Sequence, residues 1–195
     1  MNRSLIASLA EFTGTFFLVL AALAVPAPFT VFAVGAVLLV FVYAIGGISG
    51  SHLNPAVTVG LVSARQFPVP EGAMYIVAQI AAAFLARWVV ASGFLVAPDA
   101  YKSGTPLAEF VGFGILMLAV AAVTEKRVTA AGSGVAVGPA LTAGLLISSG
   151  VLNPAVALAM GLGVSSAAVW APLLSGVVFA LLFVLLKKGV PPTVG

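Results

Sequence analysis

The sequence predicts an all-α membrane protein with six transmembrane helices and two re-entrant half-helices, arranged as an inverted repeat. Three observations lead there. The 195 residues are 62% hydrophobic and only 7% charged, with eight basic and five acidic side chains, whereas a soluble domain carries roughly 25% charged residues. Two long stretches, residues 12–64 and 128–186, contain no Asp, Glu, Lys or Arg. Short motifs recur at a nearly constant shift along the chain. A β-barrel would show short segments of alternating polarity instead.

Apolar segments separated by turn signals mark the elements in order. Leu5 to Val25, Phe29 to Gly47 and Glu71 to Val96 are the first three spans, since crossing a bilayer takes about 20 apolar residues. Pro106 to Val123, Gly134 to Ser148 and Ala167 to Leu186 are the other three. Asn54 to Ala64 and Asn153 to Gly163 are apolar but too short to cross. Irregular backbone at membrane depth is tolerated only beside protein or a cavity, so these two segments suit re-entrant half-helices. The start of the chain has a rival reading. Met-Asn-Arg, an apolar run and Ala22-Leu23-Ala24 also match a secretory signal with its cleavage site. Glu11 inside the run, and the later recurrence of its pattern, favour a retained span.

Six crossings place both termini and the loops after spans 2 and 4 on one side. That side carries Arg3, Arg65, Lys126, Arg127, Lys187 and Lys188; the other carries Lys102. The bias predicts a multi-pass protein of the cell (plasma or inner) membrane with both termini cytoplasmic.

Ala10-Glu11-Phe12 recurs as Ala108-Glu109-Phe110, a shift of 98, and Leu53-Asn54-Pro55-Ala56-Val57 as Leu152-Asn153-Pro154-Ala155-Val156, a shift of 99. The chain therefore reads as one domain, 1–195, of two repeats, about 1–97 and 98–195. Each repeat has three spans, an odd number, so the second enters the membrane from the opposite side. Asn is a strong N-cap and Pro fits the first helical position. Asn54, Pro55 and Ala56 should thus face Asn153, Pro154 and Ala155 at the midplane. Each half-helix N-terminus presents about half a positive charge, and the two amides can donate hydrogen bonds into a pore. A water that turns its oxygen to both donors cannot relay a proton, and cations meet a positive midplane. The backbone before each cap (Gly50, Ser51, His52, Leu53 and, in the second repeat, Gly150, Val151 and Leu152) can line the pore with carbonyl acceptors.

Over nearly its whole length the chain resembles the aquaporins, the major intrinsic protein family. The resemblance rests on residues 10–16 (AEFTGTF), residues 48–58 (ISGSHLNPAVT), Ala78-Gln79, Glu109 and Leu152-Asn153-Pro154-Ala155. It implies one pore per protomer, a homotetramer, and Glu11 and Glu109 bracing the re-entrant loops through backbone N–H groups. An intramembrane acid must find donors or become neutral, so a protonated Glu against a neighbouring helix is the alternative. The family normally places Arg directly after the second Asn-Pro-Ala, and here that position is Val156. Glycerol-conducting members usually have Arg-Asp there; this chain has Val156-Ala157. Carried over by spacing, the selectivity filter becomes Val34, Leu145, Gly150 and Val156, aliphatic and uncharged. Such a ring either widens the pore or expels water from it. His52 reads as a loop-packing residue near the cytoplasmic mouth. Arg87, about 24 Å along the third span from Glu71 at 1.5 Å per residue, has three readings: snorkelling outward, pairing at a protomer interface, or replacing the missing filter Arg.

Function follows as a passive channel for water, with small neutral solutes as further permeants. The alternative is a facilitator for glycerol, hydrogen peroxide, urea or gases through an aliphatic, Arg-free filter. A coupled transporter would need ionisable groups at its binding site, and only Glu11, Glu109 and Arg87 are available. No enzyme is expected, because nucleophile, base and metal constellations are lacking. The absence of Cys and the single His argue against a metal or cofactor. The net charge of +3 reflects flanking residues, and no run of Lys or Arg exceeds two, so no nucleic-acid partner is expected; the partners are the lipid bilayer and the permeants.

Overall fold

The computed structural model describes residues 2–93 and 104–191, and these form eight α-helices without strands. Six are long and apolar enough to cross a membrane: α1 (Arg3–Ala24), α2 (Thr30–Ser49), α4 (Val69–Ala91), α5 (Pro106–Thr124), α6 (Ala130–Ser148) and α8 (Ala167–Leu186). The short ones are α3 (Pro55–Ser63) and α7 (Pro154–Ala159). Lys102 and the expected repeat boundary near 97/98 lie outside the described residues, as does the expected end of the third span at Val96.

Local chemistry explains the ends. Asn2, Thr105, Thr129 and Ser166 each accept a backbone N–H of the following turn and start α1, α5, α6 and α8, as N-caps do. The Thr129 cap moves the start of α6 to Ala130, four residues before the expected Gly134, so Gly132 and Gly134 lie inside the helix. Prolines 68 and 70 bring the start of α4 forward to Val69. The second half-helix is shorter than the expected stretch to Gly163. Gly161 turns the chain with φ +85°, and the Leu162 N–H closes back onto the Ala157 carbonyl at 3.0 Å. That is a glycine C-cap, which needs the left-handed region. The first half-helix ends the same way through Arg65 (φ +58°), with Gln66 N–H on the Leu61 carbonyl at 2.8 Å.

Helix pairing repeats between the halves. α1 packs on α2 and α4; α5 packs on α6 and α8; α2 and α6 join the halves; α3 crosses α8, and α7 crosses α4. The half-helices are buried almost throughout, whereas the outer faces of the spans expose Phe32, Val77, Trp88 and Leu186. A continuous apolar exterior of this kind has lipid as its natural solvent.

The α3–α8 crossing is close because two glycines meet there. A Cβ on Gly176 would lie 2.5 Å from the Ala56 carbonyl oxygen, and one on Gly60 would lie 2.8 Å from the Gly176 oxygen. Both obstacles are backbone, which cannot swing aside. Gly176→Val should therefore cost at least the 1–3 kcal/mol typical of overpacking and lower the thermal midpoint in detergent by several degrees. Gly47→Val, where nothing lies within 4 Å of the added carbon, is the control. Equal midpoints for the two variants would contradict the close crossing.

Candidate pore

Each re-entrant loop hangs on one buried carboxylate. Glu11 Oε1 accepts from Ser49 Oγ (2.7 Å) and the His52 N–H (2.9 Å), and Oε2 accepts from the Leu53 N–H (2.7 Å) and Gln79 Nε2 (2.9 Å). In the second repeat Glu109 Oε1 accepts from the N–H groups of Gly104 (3.3 Å) and Val151 (2.9 Å), and Oε2 from that of Leu152 (2.9 Å). Both carboxylates are fully buried. They take up N–H groups that an irregular loop at this depth would otherwise leave without partners, each at a cost of 1–3 kcal/mol. The loops also carry strain. Leu53 (φ +49°) and Leu152 (φ +57°) both sit in the left-handed region, which costs an L-residue about 1–2 kcal/mol. Held on one side by the carboxylate, each leucine aims its carbonyl at the opposite repeat.

Those carbonyls meet the asparagines. Asn54 Nδ2 donates to the Leu152 carbonyl at 2.9 Å, and Asn153 Nδ2 donates to the Leu53 carbonyl at 3.0 Å. The amide oxygens cap their own helices, Asn54 Oδ1 accepting from Ala56 N–H (2.9 Å) and Asn153 Oδ1 from Ala155 N–H (3.0 Å). Pro55 and Pro154 occupy the first helical positions. The two half-helix N-termini thus meet in the interior, each asparagine spending one N–H on the other repeat and keeping one. The sequence led to the expectation of amides that donate into a pore; here each amide also ties the two repeats together. These bonds engage the Leu53 and Leu152 carbonyls, both of which were expected to line the pore.

Three cavities follow one another across the protein. On the face carrying the termini is a vestibule of about 720 Å³, whose wall includes Gly50, His52, Gln66 and Lys126. A central cavity of about 10 Å³ is lined by Ser51, His52, Asn54 and Asn153 among others. Beyond it lies a third cavity of about 20 Å³ that brings together Val34, Leu145, Gly150 and Val156, with Val151, Asn153 and Met160. A single water needs roughly 10–15 Å³ of such space, so the inner two cavities suit single molecules in file. His52 belongs to both the vestibule and the central cavity. It is wedged edge-on between Phe67 and Tyr75, with Nδ1 3.1 Å from Thr58 Oγ1, so it packs the loop and borders the path at once. The Ser51 hydroxyl, buried beside the central cavity, has no protein partner.

The repeats differ in polarity. Gln79 donates to Glu11 and, at 3.1 Å, to Thr58 Oγ1, which continues to His52. At the 99-residue shift Thr58 corresponds to Ala157 and His52 to Val151. The central cavity is bordered by Ser51 and His52 from the first repeat, whereas the outer cavity is bordered chiefly by aliphatic side chains, with Thr30 and Asn153 as its polar ones. Thr58, Leu18, Leu141 and Met160 were not singled out from sequence. Thr58 stands in the matched motif, but its bond to His52 is a tertiary contact.

Arg87 is on none of these walls. Its side chain is exposed and lies over Gly161, where an added Cβ would be 3.4 Å from one guanidinium nitrogen. That position is the C-terminal end of α7, a favourable place for a cation, and it removes the reading of Arg87 as a substitute for the filter Arg. At the opposite face Glu125 forms an ion pair with Lys187 and accepts from Gln66 Nε2. The Lys187 hydrogen bond, chiefly, holds the Glu125 carboxyl below its ordinary value. This cluster ties the ends of α5 and α8 to the loop after α3.

The comparisons agree with the geometry. A family model described as Major intrinsic protein matches residues 2–126. Aquaporin NIP1-4 of Oryza sativa subsp. japonica is 34% identical over 186 residues, covering 83% of this chain and 68% of that protein. Nodulin-26 of Glycine max is 32% identical over 173 residues, covering 76% and 64%. The chain thus spans about two thirds of the length of these relatives. Among solved structures, the aquaglyceroporin from Plasmodium falciparum has the same fold, with a TM-score of 0.73, 20% identity and 96% coverage of both chains. With its six spanning helices, two half-helices and paired Asn-Pro-Ala caps, the chain belongs to the major intrinsic protein family.

Proposed function

We propose that the protein is a passive channel for water, the permeant passing from the vestibule beside His52, past the remaining N–H groups of Asn54 and Asn153, and out through the cavity at Val34, Leu145, Gly150 and Val156. The observation that carries this reading is the series of three cavities, the middle one flanked by both asparagines. Two N-termini facing one point, with one free donor per amide, orient a water oxygen and oppose cations. The relatives named as aquaporins support the same reading, and a channel rather than an enzyme. Resemblance to the family further supports a homotetramer with one pore per protomer. The basic residues of the terminal face support cytoplasmic termini in a cell membrane, and the motif shifts support two repeats joined near residue 97.

The aliphatic cavity favours a second activity, facilitation of small neutral solutes such as glycerol, hydrogen peroxide, urea or gases. Its ring, Val34, Leu145, Gly150 and Val156, offers no side-chain donor. Purified protein in proteoliposomes, followed by stopped-flow light scattering after an osmotic step, tests the proposal. Shrinkage several-fold faster than in empty liposomes, without an ion gradient, is expected. Shrinkage at the bare-lipid rate, with folded and inserted protein, refutes it.

A further inference from the structure

We infer that the tightest barrier to permeation is the pair Leu18 and Leu141, one step inward from the Val34–Leu145–Val156 ring. The inference rests on the channel reading above and names what sets its rate and size limit. Leu18, Leu141 and Asn153 are the residues common to the walls of the central and the outer cavities. Space is present at the ring, where the outer cavity measures about 20 Å³. These three side chains form the boundary that the two cavities share. Leu18 comes from α1 and Leu141 from α6, and both are buried, at 2% and 4% exposure.

Chemistry makes the same point. At this level Asn153 has one N–H left, since its other N–H serves Leu53 and its oxygen serves Ala155. A permeating water gives up its remaining hydrogen bonds against two leucines, and burying a polar group without partners is costly. On the other side of the central cavity His52 and the unpartnered Ser51 hydroxyl offer replacements. Hydrophobic constrictions control pores by expelling water. The leucine pair therefore limits both the rate of water and the girth of a solute, while the valine ring borders space that is already open.

Leu18→Ala, Leu141→Ala, Val34→Ala and the narrowing Leu18→Phe, compared in proteoliposomes at equal inserted protein, test this. Each leucine-to-alanine change is expected to raise water flux about fivefold, the equivalent of roughly one hydrogen bond regained in transit, and to raise glycerol flux above the wild-type level. Val34→Ala, which widens the outer ring, should raise water flux by less than either leucine change does, and Leu18→Phe should lower it. Leu141→Ala and Leu18→Phe keep the test intact if Leu18→Ala does not fold. Unchanged flux in folded leucine variants, or a Val34→Ala gain equal to theirs, overturns the assignment and leaves the channel reading in place. Silence of the wild type and of every folded, inserted variant overturns both.

Discussion

Glu11→Ala is expected to yield no stable, monodisperse protein. The side chain accepts four hydrogen bonds, from Ser49, His52, Leu53 and Gln79. Hydrogen bonds to a charged group contribute about 1.5–3 kcal/mol each, so their joint loss is comparable with the 5–15 kcal/mol that keeps a typical domain folded. Alanine also leaves two backbone N–H groups of the loop buried without partners, and nothing then holds Leu53 at φ +49°. Glu11→Gln keeps one acceptor oxygen but turns an NH2 group toward donors, so an intermediate loss is expected. Glu109→Ala should be milder, because that carboxylate accepts three bonds and the one from Gly104 is long at 3.3 Å. Size-exclusion profiles and thermal midpoints in detergent order the three variants. A Glu11→Ala protein with the wild-type midpoint would show that the loop stands without its brace.

Val156→Arg should close most of the outer cavity. The residue sits in the first turn of α7, 3% exposed, facing about 20 Å³ of space, which is far less than a guanidinium and its stem occupy. Glycerol flux should fall by about tenfold or more, equivalent to at least about 1.4 kcal/mol of added barrier. Proton flux should fall with it, since a fixed charge now supplements the half-helix dipoles. The wild type, which lacks that charge, is accordingly expected to exclude protons less well than an Arg-bearing relative. An Arg that finds no carbonyl near Gly150 would instead lower stability, as an unpaired buried charge does. Proton and glycerol fluxes through wild type and variant at equal protein loading decide the matter. A folded variant equal to wild type in both fluxes means that residue 156 does not border the path.

The spans, the half-helices and the shift between repeats were legible in the sequence because they depend on local chemistry. Length and hydropathy define a crossing segment, Asn-Pro defines a helix start, and repetition is visible without coordinates. Even the misjudged ends were local, since Thr129 as a cap and Gly161 as a stop are ordinary signals masked by neighbouring glycines. What the tertiary structure alone decided is the direction in which side chains look. Glu11 and Glu109 reach the loops only because α1 and α5 pack beside them. The asparagines divide their amides between repeats only because Leu53 and Leu152 present their carbonyls at the midplane. Leu18 and Leu141 lie on spanning helices that are apolar on both the lipid face and the pore face, so amphipathic periodicity, which marks the buried side of a soluble helix, carries no signal there. The place where a pore narrows is a volume left between six packed segments, and no single segment encodes it.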